Sequence, residues 1–307
     1  MSTYIMRKGK AKLSDLQDGA ASLAGYPGAY LGRVYYVDNI NGSSGGDGLS
    51  WGSAFSQLSY AVTAAEAYRA TLGNIYTRNV IYLAGTGTAY TAVTALPNYC
   101  DIIGVGADPR GDGTGIVVIT GAADADACAG AQRGNRWYNI QFKVTADTFW
   151  CFDATNSLRS TFENCAFMHS AASASTGGGF RVTANSGGMT FKNCHFGTNG
   201  AAQHPYGIYV SAGCTFNNSW IEFCHITALT AGIYTTSTAN WTNAVVRYNT
   251  ISGGTSVQAV TGIAADTHAT IMANYITASS DAISGATAGN TVGNEVIDNA
   301  TAAREKA

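Results

Sequence analysis

Charged residues are scarce in this chain. Lysine and arginine together number 17, and aspartate and glutamate number 19, so only 12% of the 307 residues carry a charge. This share is about half of that in an average soluble protein. The formal net charge of −2 offers no overall basic surface for nucleic acid. We therefore expect no nucleic-acid partner and no lysine- and glutamate-rich helical surface.

Long apolar segments are missing as well. No run is long and apolar enough to cross a bilayer, and the first residues lack the apolar core of a secretion signal. The 7 cysteines are an odd number and form no CxxC pair. We therefore expect no membrane partner and no signal peptide, with reduced thiols and folding in a cytoplasm.

The sequence instead contains a repeat. An apolar residue is followed five positions later by a second one in three segments spaced 25 residues apart, at Ile221/Ile226, Val246/Ile251 and Ile271/Ile276. The same spacing occurs upstream and downstream, at Trp137/Phe142, Phe162/Phe167, Phe191/Phe196 and Val292/Ile297. A recurring period of this size marks a repeat architecture.

Each repeat unit also contains another short apolar run, usually after a glycine, as in Gly207-Ile208-Tyr209-Val210. Such segments, separated by Gly, Ser, Thr and Asn turns, are too short for a helical repeat. They fit a coil of parallel strands stacked ~4.8 Å apart. The two apolar columns should face inward, and each large side chain that they bury is worth ~1.5–3 kcal/mol.

The first part of the chain departs from this repeat. Residues 1–33 are predicted to form an extended N-terminal arm, with a short helix near 13–23. Residues 34–300 form the coil domain, and 301–307 a polar tail. A capping helix is predicted over about 54–72, with Ser53 as its N-cap, Phe55 opening its apolar stripe and Gly73 ending it. Strands are predicted at 80–84, 100–105 and 116–120.

Several motifs carry a resemblance to a known family. Tyr36-Val37-Asp38, a Gly/Asp-rich loop, Trp51-Gly52-Ser53-Ala54-Phe55 and then Val80–Gly85 occur in the order that begins right-handed parallel β-helix proteins of the pectate-lyase-like type. The Phe-x-Asn-Cys-x-Phe segments at Phe162–Phe167 and Phe191–Phe196 are also frequent in that group. The resemblance spans about residues 34–298.

The resemblance implies an all-β fold, a right-handed single-stranded parallel β-helix whose N-terminal end is covered by the helix. Such a cap is expected because an open coil end exposes apolar core and unpaired strand edges. The group includes lyases, hydrolases, epimerases and non-enzymatic phage virion proteins. The resemblance is therefore informative about the fold and leaves the activity open.

Acidic and basic residues alternate one position after the first apolar column, at Glu163, Lys192, Glu222 and Arg247. Strand alternation places them on the outer surface. Glu163 and Glu222, two coils or ~9.6 Å apart, could be the carboxylates of a glycoside hydrolase with Lys192 and Arg247 beside them. Alternatively, the four residues form a charge ladder that fixes the strand register. The ladder is favoured because Lys192 lies between the two acids and would neutralise both.

Two further columns contain candidate metal ligands. Cysteines and then asparagines occupy the third position after the first column, at Cys165, Cys194, Cys224, Asn249 and Asn274, and the next column pairs His195 with His225. Zinc needs three or four ligands, and no third ligand is evident beside the histidines. We therefore interpret the cysteines as corner fillers and the asparagines as an amide ladder in left-handed backbone. His169, His204 and His268 are predicted to lie in turns.

Neither acidic loop matches a calcium motif. Asp38, Asn39, Asn41 and Asp47 lie in a glycine-rich loop, but Ile40 and Gly42 occupy positions at which an EF-hand needs oxygen ligands. The segment 108–112, Asp-Pro-Arg-Gly-Asp, is interpreted as a turn. We therefore predict no metal and no cofactor, with calcium in the glycine-rich loop as the alternative.

Aromatic residues are numerous and partly outward. They could stack on sugars or bury a subunit interface, and interfaces commonly enrich tyrosine and tryptophan. The residues concerned are Trp137, Tyr138, Trp150, Tyr206, Tyr209, Tyr234, Trp241, Tyr248 and Tyr275. An interface is favoured because so uncharged a surface is poorly suited to a lone subunit.

The first functional hypothesis is a non-enzymatic structural protein of a phage or phage-like particle, folded in the host cytoplasm: a capsid decoration, a head fibre or a tail-associated β-helix. It would be a homotrimer attached to a capsid or other virion protein through its arm, where Arg7, Lys8, Lys10 and Lys12 would meet an acidic surface. The alternative is a carbohydrate-active enzyme, a polysaccharide lyase or glycoside hydrolase, acting on a glycan.

Overall fold

The structure is a computed structural model of the chain. It describes residues 31–73, 77–111, 113–122, 124–146, 148–169, 176–197, 205–236, 241–253, 260–261, 269–278, 283, 291–298 and 303–306. The predicted arm up to residue 30, its four basic residues, the short helix predicted near 13–23, and both His204 and His268 lie outside the described residues.

The described strands form three main sheets that run along one coil. Sheet A has ten strands, in pairing order Leu31–Val37, Arg78–Ala84, Cys100–Val105, Arg136–Tyr138, Thr161–Glu163, Thr190–Lys192, Trp220–Glu222, Val245–Arg247, Thr270–Met272 and Thr291–Val292. Sheet B pairs Tyr90–Thr91, Val118–Thr120, Gln141–Val144, Ala166–His169, His195–Phe196, His225–Thr227, Thr250–Ser252, Tyr275–Ala278, Glu295–Asp298 and Ala303–Lys306.

Sheet C completes the wall of the coil. It pairs Cys128–Gly130, Trp150–Ala154, Gly178–Val182, Tyr206–Val210, Ala231–Thr235 and Val260–Thr261. A short pair, Ser186–Gly187 with Phe216–Asn217, lies between sheet C and sheet A in chain order. Neighbours in each sheet are successive turns of the chain and run parallel, apart from the last pair of sheet B. This is the parallel β-helix predicted from the repeat.

The two apolar columns form its core. Phe162 pairs with Trp137 on one side and Phe191 on the other, and Ile221, Val246 and Ile271 continue the column. All six side chains are at most 1% exposed. Their rings stack, with centroids 6.3 Å apart for Trp137 and Phe162 and 5.1 Å apart for Phe162 and Phe191. The predicted dry interior is therefore confirmed over these coils.

The last coil differs from the prediction by one residue. Thr291, not Val292, pairs with Ile271, and Val292 is 59% exposed. Val296, not Ile297, pairs with Ile276. The amide of Asn274 donates to Asn294 Oδ1 at 2.9 Å, and this contact requires Asn294 at the equivalent position. The final step is therefore one residue shorter than the apolar spacing suggested.

The capping helix begins later than predicted. It spans Leu58–Thr71, and Gln57 occupies the N-cap position without a side-chain cap. Trp51–Ser53 is a separate 3-10 turn, and Ser53 Oγ donates instead to Asp47 Oδ1 at 2.5 Å. Phe55 bridges in parallel to Val37 and Ser43. These bridges hold the backbone at Phe55 in an extended conformation. The helix therefore begins after this residue, although Phe55 fits the apolar pattern.

The helix nevertheless covers the start of the coil. Its buried face consists of Leu58, Ala61, Val62 and Ala65, which belong to the same core as the strand residues. It contacts the first two strands of sheet A. Gly73 follows with φ +58°, the left-handed conformation of a helix stop. Among the described residues, no helix has the length and apolarity needed to cross a membrane.

Other boundaries also differ from the sequence expectation. The first strand begins at Leu31, inside the predicted arm, and the second begins at Arg78 rather than at residue 80. The strand expected from residue 116 begins at Val118. Ala303–Lys306, predicted to be a polar tail, pairs antiparallel with Glu295–Asp298. This pairing satisfies backbone groups at the end of sheet B, where an open edge would otherwise be exposed.

Candidate functional site

The four alternating charges of sheet A meet on the outer surface as predicted from the repeat. Glu163, Lys192, Glu222 and Arg247 are consecutive partners in the strand register. Lys192 Nζ lies 3.5 Å from Glu163 Oε1, and Arg247 Nη2 lies 2.8 Å from Glu222 Oε2. Each carboxylate therefore has its own cation, which is the arrangement that a register-fixing ladder requires.

Aromatic side chains lie beside this ladder. The Arg247 guanidinium lies 4.8 Å from the ring centroid of Trp220 and 5.5 Å from that of Tyr248. Tyr248 stacks on Phe223 with centroids 5.3 Å apart. We call Trp220, Phe223 and Tyr248 the aromatic stripe. Their exposed fractions are 40%, 53% and 47%, so they form an apolar patch held together by one cation.

A second cluster lies on sheet C and was missed by the sequence analysis. Arg181 Nη2 is 2.5 Å from Asp153 Oδ2 and 3.8 Å from Asp126 Oδ2. The Trp150 backbone N–H donates to Asp126 Oδ1 at 2.6 Å. Burial raises the pKa of the Asp126 carboxyl above its usual value, and the neighbouring charge of Asp153 acts in the same direction.

The signal for this cluster was present in the third strand of each unit. Phe180 pairs with Phe152, so Arg181 pairs with Asp153 directly after that apolar column. Apolar runs in this strand were recognised from their glycines, but Phe152 and Asp153 have no glycine before them. No short sequence motif therefore predicts that these two carboxylates and one guanidinium lie close together.

Aromatic rings extend from the cluster along sheet C. The Arg181 guanidinium lies 5.2 Å from the Trp150 ring centroid. Trp150 stacks at 6.3 Å on Tyr206, and Tyr209 stacks at 5.2 Å on Tyr234. A Cβ at Gly178 would lie 2.6 Å from Trp150 Cζ3, so glycine is required there to make room for the ring. The sheet thus presents a carboxylate pair next to a row of partly exposed tyrosines.

The paired histidines of sheet B face each other. His195 Nδ1 and His225 Nδ1 are 3.2 Å apart, so one ring donates and the other accepts. Burial lowers the pKa of His195 to about 4, with a further contribution from His225. Within the described ranges, no group of three or more His, Cys, Asp and Glu side chains could hold a metal ion. His169 was predicted in a turn, but it is buried at the end of the strand Ala166–His169.

The side chains of the cysteine column and of the asparagine column both donate to backbone carbonyl groups inside the corner. Cys194 Sγ donates to Phe162 O at 3.3 Å, and Asn249 Nδ2 donates to Ile221 O at 2.9 Å. Left-handed backbone was expected at the asparagines, but it falls on the preceding residue, at Asn164, Asn193, Phe223, Tyr248 and Ala273. The bend thus precedes the buried polar side chain, which then turns inward to bond the backbone.

The carboxylates of the two acidic loops form local contacts within their own loops. Asp38 Oδ1 accepts the backbone N–H groups of Ile40 and Asn41, each at 2.9 Å. Asp47 Oδ1 accepts Leu49 N–H at 2.9 Å. Arg110 Nη2 lies 2.6 Å from Asp108 Oδ2 within one tight turn. These carboxylates therefore stabilise their own loops.

Comparison with known proteins adds little beyond the fold. No protein-family model matches the chain, and no curated protein matches it either. One similar solved structure is pectate lyase Pel9A, at 12% identity over 84% of this chain and 79% of that chain, with a TM-score of 0.39. Another is the A-module of the Azotobacter vinelandii mannuronan C-5 epimerase AlgE6, at 14% identity over 92% and 89%, with a TM-score of 0.25. The strand register itself, rather than these weak likenesses, establishes that the chain is a parallel β-helix.

Proposed function

We propose that the protein is a non-enzymatic structural component of a phage or phage-like particle, a capsid decoration, head fibre or tail-associated β-helix. It assembles as a homotrimer and attaches to a capsid or other virion protein through residues 1–33, with Arg7, Lys8, Lys10 and Lys12 on an acidic surface. The observation that carries the proposal is the aromatic stripe on sheet A.

The stripe supports a protein contact for two reasons. First, Trp220, Phe223 and Tyr248 are large and exposed. Arg247 lies over the rings of Trp220 and Tyr248, and Phe223 stacks on Tyr248, and such patches mark interaction sites. Second, tyrosine, tryptophan, phenylalanine and arginine are the residue types that protein interfaces enrich. The patch lies on the outer face of sheet A, along the side of the coil, where parallel copies around a threefold axis could bury it.

The adjoining charge ladder supports a structural role as well. Glu163 and Glu222 each contact a cation of the same sheet. The ladder therefore fixes the strand register and adds little net charge to the surface of sheet A. A surface of this kind can enter an interface without leaving a buried unpaired charge, which would be costly.

Assembly is tested by measuring the mass of the full chain in solution by light scattering. We expect a trimer, and we expect the double variant Trp220→Ser/Tyr248→Ser to be monomeric. Tyr60→Ser is the matched control, because Tyr60 is 38% exposed and lies on the capping helix. A monomeric wild type, or a double variant that stays trimeric, would contradict the proposal.

Attachment is tested separately. Deleting residues 1–30 stops short of the first strand, which begins at Leu31, so the coil should retain its circular-dichroism spectrum. We expect the shortened chain to be lost from purified particles. Replacing Arg7, Lys8, Lys10 and Lys12 by glutamine should release the protein at lower salt, because exposed charge contacts are screened. Unchanged attachment of the deleted chain would count against the arm.

The alternative, a carbohydrate-active enzyme, is favoured by one specific observation. The raised pKa of Asp126, beside Asp153 and Arg181, is the kind of shift found in general acids of polysaccharide-cleaving enzymes. A release assay on polygalacturonate and alginate tests it with Asp126→Asn. Glu222→Gln, in the same assay, tests the alternative catalytic set on sheet A, which consists of Glu163, Lys192, Glu222 and Arg247. Activity abolished by either variant would replace the structural proposal, and absence of release by the wild type would support it.

A further inference from the structure

A cleft of about 690 Å³ runs along the corner by which the chain passes from sheet C to sheet A. Its lining comes from five consecutive coils, which are aligned by parallel pairing of Asn98, Arg133, Leu158, Gly187 and Asn217 in turn. Five coils cover four strand spacings, or about 19 Å. An extended polypeptide rises ~3.3 Å per residue, so the cleft has the length of about six residues of an extended segment.

The middle of the cleft has no side chains on its floor. Gly187 and Gly188 follow each other there, in the coil next to that of Arg159. A Cβ on Gly187 would lie 3.0 Å from Asn217 O, and one on Gly188 would lie 3.3 Å from Arg159 Cγ. The backbone of Gly188 is also left-handed, at φ +64°. The two glycines therefore leave room for the main chain of a ligand to approach the coil closely.

The charge in the cleft is entirely positive. Its lining contains Arg133 and Arg159 and no acidic residue. Within the described part of the chain, neither guanidinium has a carboxylate partner, whereas the arginines of sheets A and C that form ion pairs each have one, at Arg78, Arg136, Arg181 and Arg247. Two uncompensated cations in a concave site attract anionic groups. A guanidinium fork binds the two oxygens of a carboxylate in a bidentate manner.

The two arginines are offset by one coil and one residue. Arg133 pairs with Leu158, and Arg159 follows Leu158 in the chain. One coil of ~4.8 Å and one residue of ~3.3 Å place the two backbone positions ~6 Å apart on the diagonal. In an extended polypeptide, side chains on the same face recur at every second residue, or every ~6.8 Å. Acidic side chains two residues apart in such a segment therefore match the spacing of the two arginines.

Neutral hydrogen-bonding groups line the cleft beyond the glycines. Asn217 Oδ1 accepts the Thr242 backbone N–H at 2.9 Å, and Asn218 Oδ1 accepts Asn243 Nδ2 at 3.3 Å. These bonds engage the oxygens of both amides, so each side chain presents its Nδ2 donor to the cleft. Every residue of an extended segment carries a backbone carbonyl group that such a donor can bind.

We infer that this cleft binds an acidic, extended segment of another protein. The main chain of that segment lies over Gly187 and Gly188, and acidic side chains at alternate positions contact Arg133 and Arg159. Arginine clusters are a recurring means of recognising acidic motifs. The lining of the cleft shares no residue with the aromatic stripe or with the sheet C cluster. The inference therefore adds a partner of defined chemistry to the proposed structural role and does not depend on the trimer.

Isothermal titration of the full chain with synthetic octapeptides tests the inference. We expect binding of a peptide in which glutamate and threonine alternate, and none of the peptide in which glutamine replaces the glutamate. The double variant Arg133→Gln/Arg159→Gln should weaken binding about tenfold or more, since charged bidentate contacts are lost. Arg110→Gln/Lys143→Gln, which removes the same charge outside the cleft, should bind within about twofold of wild type.

Two further octapeptides test the extended conformation. Both contain two glutamates among threonines, placed two residues apart in one peptide and adjacent in the other. Adjacent side chains of an extended segment point to opposite faces, so the first peptide should bind about threefold or more tightly than the second. Equal affinities would contradict the inferred placement of the segment.

Other occupants of the cleft would give different results. Tighter binding of dextran sulfate or of a single-stranded DNA oligonucleotide than of the alternating peptide would overturn the inference, as would an equal loss in the two double variants or no peptide binding at all. A lower mass of Arg133→Gln/Arg159→Gln than of wild type in light scattering would assign the cleft to a second copy of the chain and would also overturn it. A monomeric wild type that binds the peptide would contradict only the proposed trimer.

A second readout on the wild-type chain covers the case in which the cleft variant does not fold. Phenylglyoxal modifies accessible arginines, and mass spectrometry locates the modified residues. We expect the alternating glutamate peptide to protect Arg133 and Arg159 and to leave Arg110 reactive. Equal reactivity of Arg133 and Arg159 with and without the peptide would show that it does not occupy the cleft, against the inference.

Discussion

Asn249 Nδ2 donates to Asn274 Oδ1 across one coil at 2.9 Å, in a corner where both residues are 2% exposed. The same oxygen accepts the Asn249 backbone N–H at 3.0 Å. Asn274 in turn makes both bonds to Asn294 Oδ1. Each amide therefore satisfies backbone and side-chain groups of its neighbour, and the coils are joined by buried polar contacts as well as by the core.

Replacing Asn274 by alanine should destabilise the coil. The change leaves the Asn249 side chain and backbone N–H groups without their acceptor, and a buried unsatisfied group costs about 1–3 kcal/mol. We expect a loss of about 3 kcal/mol in the free energy of unfolding, measured in urea.

Asn274→Cys is the matched control. Cys194 fills the same column and donates to Phe162 O, so a cysteine should retain part of the contact and cost less than alanine. Equal losses for the two variants would show that a cysteine at this position retains none of the contact, and no measurable loss for Asn274→Ala would show that the amide ladder contributes no specific stability.

Phe162 should be among the most sensitive core positions. It is fully buried and its ring lies between those of Trp137 and Phe191. Phe162→Ala should cost about 3–5 kcal/mol, because a cavity of this size cannot collapse between stacked rings. Phe162→Leu retains most of the volume and should cost less than half as much. Urea unfolding of the two variants measures this, and similar losses would contradict the close packing.

The histidine pair should make stability fall in mild acid. The pKa of His195 is about 4 in the folded chain, against an ordinary value of about 6.5 in the unfolded chain. The unfolded chain therefore binds more protons between these values, and stability is complete above pH 6.5 and declines as the pH falls towards 4. We expect a decline on the order of 2 kcal/mol, measured by urea unfolding at pH 7.5, 6 and 5.

His195→Gln/His225→Gln provides the control for this pH dependence, because glutamine does not titrate. The pKa of the nearby Asp108 is lowered by its hydrogen bonds to Arg110, so that carboxyl loses its stabilising effect mainly at still lower pH. The double variant should therefore show a flatter profile between pH 7.5 and 5. An unchanged slope would mean that other groups cause the acid sensitivity.

The cysteines should be inert in the folded protein. All 7 are free and buried, and burial raises the pKa of the Cys128 and Cys151 thiols, which disfavours the reactive thiolate. Iodoacetamide at pH 8 should leave the native mass unchanged, whereas labelling in urea should add seven groups. Rapid native labelling at any of the seven would place that residue on an accessible surface.

The periodic part of the fold could be predicted because each coil repeats the same physical requirement. Phe162, Phe191 and Ile221 must face the interior at equal steps, so their spacing is visible in the sequence. The last coil misled the prediction because Val292 and Ile297 have the expected apolar spacing. Asn294, which aligns with Asn274 through a hydrogen bond, was the better guide to the register. Polar residues that bond between coils can thus fix a register more closely than apolar ones.

The sites were harder to predict because their residues are distant in sequence and bear no common motif. Asp126, Asp153 and Arg181 meet only because sheet C brings three coils together. The cleft lined by Arg133 and Arg159, at the corner between sheet C and sheet A, also depends on left-handed backbone, which Arg159 adopts at φ +53° although only glycine does so readily. Neither arginine shows from its sequence neighbours that it will lack a carboxylate partner.

The alternation of large residue and glycine at this corner also restricts how such a chain can lengthen. Tyr99 rests on Gly134 and Arg159 on Gly188, so duplicating one coil would bring two bulky side chains, or two glycines, onto adjacent turns. Duplicating a pair of coils would keep the sequence in phase. Between Tyr99 and Gly188, lengthening of the coil in phase therefore requires an even number of added turns.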